Sequence, residues 1–233
     1  MQKTRLAIID GNYLTYRSYY AYVNWYEPES MCAVYGFKKA LEIVKKKLHL
    51  EKIIVTFDCP GESHRKELDK DYKGNRPEMP KEIQKQISII KNMLESMNIP
   101  QYEKPGVEAD DIIGILCNKL KDKVEHIYIV TKDKDMCQLI NDKVSIFMPQ
   151  KKKWKICNKE YVQERYGIRP DQFRDYLAIV GDVADNIPKA VQGIGPKTAA
   201  KLLNEYGNLE NIPQYIQNKE RLDLNKKLVT IRK

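Results

Sequence analysis

The stretches RLAIIDGN (residues 5–12), KIIVTFD (52–58) and HIYIVTKDKD (126–135) decide the fold. Each starts as a run of β-branched and aliphatic residues and closes on an acid, the pattern of a buried strand that ends in a polar loop. Between them, residues of about 32–48, 80–98 and 108–121 have helical spacing. Strands that alternate with helices imply a mostly parallel central sheet flanked by helices, an α/β class. In such an open sheet ligands bind beyond the carboxyl ends of the strands, so the terminal acids should gather along one edge.

Two further strings, GVEADD (106–111) and VGDVAD (180–185), add to that gathering. The candidate metal ligands are Asp10, Asp58, Glu108, Asp110, Asp111, Asp133, Asp135, Asp182 and Asp185. So many carboxylates repel one another at neutral pH unless cations neutralise them. With oxygen donors only and no histidine in the clusters, Mg²⁺ or Mn²⁺ suits them better than zinc. Asp133 and Asp135 stand two apart, and in an extended segment they point the same way; Glu108 with Asp111, and Asp182 with Asp185, are spaced to share one side of a helical turn. Taken singly, Asp182 or Asp185 reads equally as a helix cap, and Glu108 or Asp111 as a first-turn anion. Jointly they supply enough oxygens for two ions. Two metals about 4 Å apart would activate a water and stabilise the leaving oxygen in phosphodiester hydrolysis.

The rest of the chain has the opposite charge balance. Its 233 residues carry 41 Lys and Arg against 32 Asp and Glu, a formal net charge of +9, and a pI near 9.1. An acidic pocket in a basic protein suggests a polyanion, above all nucleic acid, handled through metals. Five cysteines without a CxxC pair point to a reducing compartment. There is no signal-peptide pattern and no apolar run of about 18 residues, so neither secretion nor a membrane span is supported. The length allows one main domain, residues 1–168, and a smaller helical region, residues 169–233. KKKWKICN (151–158) reads as a hairpin or edge strand, with Asn158 capping a helix that stops at Gly167.

Two segments resemble nucleic-acid contacts. From Glu62 to Gln84 the chain is heavily charged and punctuated by Gly74, Pro77 and Pro80, so it cannot be core. Lys73 and Arg76 would share a face in a helical turn, with Tyr72 beside them offering a ring for a base. In QGIGPKTAAKLLNEYG (192–207), Gly193 and Gly195 permit a tight hairpin whose amides approach a phosphate at a helix N-terminus, helped by Lys197 and Lys201. Such binding is independent of base sequence. A P-loop is excluded because Pro196 stands where glycine must precede the lysine, and the dinucleotide fingerprint lacks its third glycine.

In order, DGNYLTYR (10–17), VTFD (55–58), YKGNRPEMP (72–80), GVEADDIIG (106–114), TKDKDM (131–136), VGDVADNIP (180–188) and GIGPKTAAKLL (193–203) resemble the 5′-nuclease family. That family comprises the 5′ to 3′ exonuclease domain of bacterial DNA polymerase I, the bacteriophage 5′ exonucleases and the flap endonucleases. The resemblance runs from about Leu6 to the closing KKLVTIRK. It implies a PIN-like core with a helical arch over about 60–98 and a helix-hairpin-helix over about 187–207.

By the same resemblance, Asp10, Asp58, Glu108 and Asp110 hold one Mg²⁺, and Asp133, Asp135, Asp182 and Asp185 its neighbour, with Mn²⁺ as a substitute and Asp111 between the groups or behind them. Lys73 and Arg76 face the scissile phosphate with Tyr72 beside them. Gly193, Gly195, Lys197, Thr198 and Lys201 grip duplex DNA, with a K⁺ ion possible at the hairpin. The expected substrates are DNA flaps, nicks and free 5′ ends, cut by a monomer in the bacterial or phage-infected cytoplasm. A PIN-like metal-dependent RNase would need neither hairpin nor charged arch. A binding-only DNA protein would have lost acids.

Three positions depart from the bacterial pattern: Lys132 stands where glycine is usual, and Lys189 and Gln192 replace residues of NIPGVPGVG. No polymerase segment follows, so a stand-alone enzyme of phage type or a trimmed one is expected.

Overall fold

The computed structural model describes residues 4–150 and 153–233. Lys151 and Lys152, which open the expected hairpin, lie outside the described residues. Six strands form one sheet: β1 (Arg5–Asp10), β2 (Lys52–Thr56), β3 (Gln101–Tyr102), β4 (His126–Val130), β5 (Val144–Gln150) and β6 (Lys153–Cys157). The order is β3-β2-β1-β4-β5-β6. β1 to β5 are parallel, and β6 alone is antiparallel, paired to β5 from Ile146–Cys157 to Gln150–Lys153. The edge strand expected over 151–158 is therefore present.

Among the described residues nine helices surround it: α1 (Gly11–Tyr22), α2 (Cys32–Leu48), α3 (His64–Leu68), α4 (Lys81–Ser96), α5 (Ala109–Leu120), α6 (Lys159–Tyr166), α7 (Phe173–Val180), α8 (Pro196–Tyr206) and α9 (Lys219–Val229). Because side chains alternate along a strand, the central strands bury both faces. Ala7, Ile9 and Val55 pack with α1, α2 and α4. Leu6, Ile8 and Ile127 face the other way, into a core shared with α5, α7, α8 and α9. As expected, Asn158 caps α6 by accepting from the Tyr161 amide at 3.2 Å, and Gly167 ends it at φ 73°.

Of the arch anticipated over about 60–98, only the part up to about Pro80 crosses the carboxyl edge of the sheet, as α3 followed by consecutive turns. α4 buries Ile83, Ile90 and Leu94 against α1 and α2, because its apolar stripe finds a partner in that layer. Lys73 sits in a turn at φ 53° rather than in a helix.

Candidate metal centre

Three loops at the carboxyl edge are tied together by short hydrogen bonds. Asp10 ends β1 and caps α1, accepting from the Tyr13 amide at 2.9 Å and from the Thr131 hydroxyl at 2.9 Å. The same hydroxyl accepts from the Asp133 amide at 3.1 Å, which joins the ends of β1 and β4. Asp58, beyond β2, is fixed by Asn12 Oδ1 on its amide at 3.1 Å and by the Ala109 amide on its carboxylate at 2.8 Å. Gly11 is required where these strands converge. A Cβ there would stand 2.5 Å from the Phe57 ring and 2.7 Å from the Thr56 carbonyl.

Asp133 and Asp135 do not lie in an extended segment, as their spacing had suggested. They start a 3₁₀ turn, Lys134–Leu139, capped by Asp133, which accepts from the Asp135 amide at 2.8 Å. That turn brings Asp135 to Asp182 and Asp185, with one carboxylate oxygen from each lying within 4.8 Å of the others. Asp182 also caps its own turn through the Ala184 amide. Capping and gathering are therefore served by the same side chains.

Asp133 links the two groups: its charge acts on Asp10 and Asp110 on one side and on Asp135 on the other. Burial, followed by the charges of Asp58 and Asp133, pushes Asp10 up to about 7. Burial and neighbouring acids also raise Asp110, Asp133 and Asp135. For Glu108 burial acts in the same sense, but the cations of Lys73 and Arg65 outweigh it and hold its carboxyl below the usual range.

Three cations stand among the acids. Lys73 Nζ is 2.7 Å from Glu108, Arg76 pairs with Asp185, and Lys134 Nζ is 2.7 Å from Asp182. The turn that carries Lys73 is clasped to the one that carries Asp185: the Lys73 amide donates to the Asp185 carbonyl at 2.9 Å and Asn75 to the Val183 carbonyl at 2.9 Å. Lys73 and Arg76 also line a cavity of about 680 Å³ together with Asp10, Asp58, Asp110 and Asp133. Lys132 is exposed on its wall.

Two expectations are corrected. Tyr72 offers no ring to a base: it is 3% exposed, and its hydroxyl lies 3.2 Å from both Glu108 and Asp185. Asp111 is fully buried and engaged elsewhere, because its two oxygens accept from the Arg65 guanidinium at 2.8 and 2.9 Å. It therefore stands behind the other acids rather than between the two groups, and shares with Glu108 the side on which Arg65 meets both.

Sequence reading missed Arg65, Thr131, Asn12 and Lys134. Arg65, 2% exposed, reaches Glu108 at 3.2 Å as well as Asp111. Lys134 stood in view inside TKDKDM, but its spacing gave no sign that it would turn toward Asp182.

At the far end, Gly195 caps α8 and Gly193 adopts φ 78°; no atom would lie within 4 Å of a Cβ at either. Lys197, Thr198 and Lys201 are exposed on this open helix start. In α8, Ala199, Ala200 and Leu203 are buried, which fixes the exposed face.

The donors at the acid cluster fit divalent metal. All are carboxylate oxygens, several held above their ordinary pKa by burial and then by one another's charge, and Asp135 Oδ1 is buried without a hydrogen-bond partner. Residues 5–167 match the 5′-3′ exonuclease N-terminal resolvase-like domain and residues 168–233 the 5′-3′ exonuclease C-terminal SAM fold. A 5′-3′ exonuclease of Buchnera aphidicola is 42% identical over 220 residues, spanning 93% of this chain and 76% of the relative. The thermostable DNA polymerase I of Thermus thermophilus is 37% identical over 90% of this chain, which matches 25% of that protein. Among solved structures, a bacteriophage T5 flap endonuclease variant in complex with DNA and metal ions superposes with TM-score 0.78 at 26% identity, covering 97% of this chain and 88% of the other. T5 5′-exonuclease has also been crystallised with zinc. The catalytic core of Rad2 with DNA substrate shares the fold at TM-score 0.60 and 19% identity, over 98% of this chain and 71% of that one.

Proposed function

Because the chain belongs to the 5′-3′ exonuclease family and is thus a metal-dependent 5′ nuclease acting on DNA, we propose that it cuts flaps, nicks and free 5′ ends with two Mg²⁺ ions at the carboxyl edge of the sheet. Asp10, Asp58, Glu108 and Asp110 hold one ion and Asp133, Asp135, Asp182 and Asp185 the other. The observation that carries this assignment is the closure of Asp135, Asp182 and Asp185 to within 4.8 Å on turns that share no sequence neighbourhood. Bound there, the ions supply a water made nucleophilic at neutral pH and charge to stabilise the leaving oxygen.

The chain's own residues do the rest. Lys73 and Arg76, drawn onto Glu108 and Asp185 in this state, exchange those partners for the scissile phosphate once the acids are neutralised. Thr131 holds Asp10 and Asp133 at fixed separation through its one hydroxyl. Tyr72 orients Glu108 and Asp185 from behind. Gly193, Gly195, Lys197, Thr198 and Lys201 hold the duplex backbone, with K⁺ at the hairpin as its counter-charge partner.

Mn²⁺ substitutes for Mg²⁺. Zinc, which a T5 relative accommodates, occupies the oxygen site without supporting a comparable rate. The enzyme acts as a monomer in the cytoplasm; among the described residues no helix is long and apolar enough to cross a membrane. End-labelled flap, nicked and single-stranded DNA, incubated with Mg²⁺ or with EDTA, test the proposal. Release of short 5′ fragments from flap and nicked substrates, abolished by EDTA, is expected. Cleavage that persists in EDTA, or of RNA alone, would refute it.

A further inference from the structure

The end of α9 and the extended residues after it, Leu228–Arg232, run through the middle of the molecule; Leu228, Val229 and Ile231 are buried in the core, and the backbone groups along the segment are anchored as well. Across this helix end and the residues that follow it, the backbone groups are gripped on two flanks. On one flank the Leu228 carbonyl accepts from Arg65 Nε at 2.8 Å, the Thr230 carbonyl from Arg65 Nη2 at 2.7 Å, and the Arg232 amide donates to Asp111 Oδ1 at 2.9 Å. On the other flank Gln138 Nε2 donates to the Val229 carbonyl at 3.0 Å and Gln138 Oε1 accepts from the Ile231 amide at 3.0 Å. The passage is tight: a Cβ on Gly114 of α5 would stand 2.1 Å from the Arg232 carbonyl.

The two flanks belong to the two groups of acids. Asp111 lies in the first turn of α5, beside Glu108 and Asp110, and Arg65 touches Glu108 directly at 3.2 Å. Gln138 lies in the 3₁₀ turn that Asp133 caps and that carries Asp135. We propose that Leu228–Arg232 is a strap that sets the spacing between the two metal subsites, with Gln138 as the positioning residue on one flank and the Arg65–Asp111 pair on the other. Gln138 is 7% exposed and satisfies two backbone groups, so its amide has one geometry available. Arg65, Asp111 and Gln138 supply these side-chain hydrogen bonds, beside the packing of Leu228, Val229 and Ile231 in the core. This proposal rests on the assignment of the two acid groups to two ions.

The test is Gln138→Met, which keeps the volume and removes both hydrogen bonds, with Leu222→Ala as a comparison. Leu222 is 1% exposed in α9 and anchors the same helix without touching the strap's polar contacts. Electron paramagnetic resonance during Mn²⁺ titration reports whether two ions sit close enough to couple, and DNA affinity is measured in Ca²⁺. Wild type is expected to show a coupled pair. Gln138→Met is expected to bind the second ion about tenfold more weakly, the order found for partners behind metal ligands. It should lose the coupled signal and cleave at least tenfold more slowly at saturating DNA, with DNA affinity within about twofold. Gln138→Glu retains the acceptor for Ile231 and should fall between the two. Leu222→Ala should melt lower yet keep the coupled signal. A wild-type spectrum and rate in Gln138→Met, or loss of coupling in Leu222→Ala to the same degree, would overturn the strap while leaving the metal assignment standing. Absence of a coupled pair in wild type would overturn both.

Discussion

Replacing Asp10 by Asn should stabilise the metal-free protein at alkaline pH, although the residue it removes is proposed to be a metal ligand. Asp10 is 8% exposed, and its carboxyl is raised from 3.8 to about 7 by burial and by the charges of Asp58 and Asp133. A carboxyl with a raised folded-state pKa binds more protons folded than unfolded between those values, so stability falls as pH climbs through that window. About three pKa units at 1.36 kcal/mol each make the penalty ~4 kcal/mol by pH 8. Asparagine keeps the cap on the Tyr13 amide, since Asn and Asp cap equally well, but carries no charge to bury.

Urea denaturation in EDTA should therefore show Asp10→Asn equal to wild type near pH 4 and more stable by up to ~4 kcal/mol near pH 8. At about 2–4 °C per kcal/mol, that corresponds to roughly 8–16 °C in melting temperature. Glu108 acts in the other direction, because its folded pKa is lowered despite burial by Lys73 and Arg65. Its contribution is lost as pH falls below the ordinary glutamate value of 4.5, at the acid end of the Asp10 window and in both proteins alike. Saturating Mg²⁺ should narrow the gap: at one hundred times its dissociation constant it adds about 2.7 kcal/mol to wild type at the site that Asp10 serves and less to the variant. A variant destabilised by the same amount at pH 4 and pH 8 would refute the reasoning, for it would show that Asp10 is not held against its own charge.

Three other outcomes follow from the same geometry. Asp133→Asn or Asp185→Asn should abolish cleavage yet keep DNA affinity, measured by single-turnover kinetics beside binding in Ca²⁺; a wild-type rate in either removes that residue from the ligand set. Lys73→Ala and Arg76→Ala should depress the single-turnover rate, whereas Lys197→Ala should weaken duplex binding and lower the salt slope by about one; equal effects on affinity alone would reduce all three to a general basic surface. Asp111→Ala removes the two-pronged partner of the buried Arg65 guanidinium, leaving it Glu108 at 3.2 Å, and should cost about 3 kcal/mol in urea denaturation, with a loss below about 1 kcal/mol showing that the pair is not held as the structure has it.

The strands and the edge on which the acids meet were legible because buried parallel strands are written as uninterrupted apolar runs, and each of these runs stops at a polar residue. The cap at Asn158 and the stop at Gly167 were legible for a similar local reason, a side chain or a backbone angle that only a few residues supply. What could not be read was orientation across sequence distance. Tyr72 was expected to face a base, but the turn that carries it is clasped by Asn75 and Asn186 onto residues more than 100 positions away, which presses the ring inward. Asp111 stands beside Asp110 in sequence, yet one helical step of about 100° sends it to Arg65 instead of the cavity. Asp133 and Asp135 ended close to Asp182 and Asp185 through a 3₁₀ turn whose signal, a capping acid two residues before another acid, is indistinguishable from an extended run. The hydrogen bonds of the segment Leu228–Arg232 could not be read, because they are made by its backbone groups.

Anomalous diffraction from crystals soaked in Mn²⁺ is the decisive measurement for the two-ion site. Two peaks about 4 Å apart are expected, one bounded by Asp10, Asp58, Glu108 and Asp110 and the other by Asp133, Asp135, Asp182 and Asp185. A single peak, or peaks away from the carboxyl edge of the sheet, would contradict it.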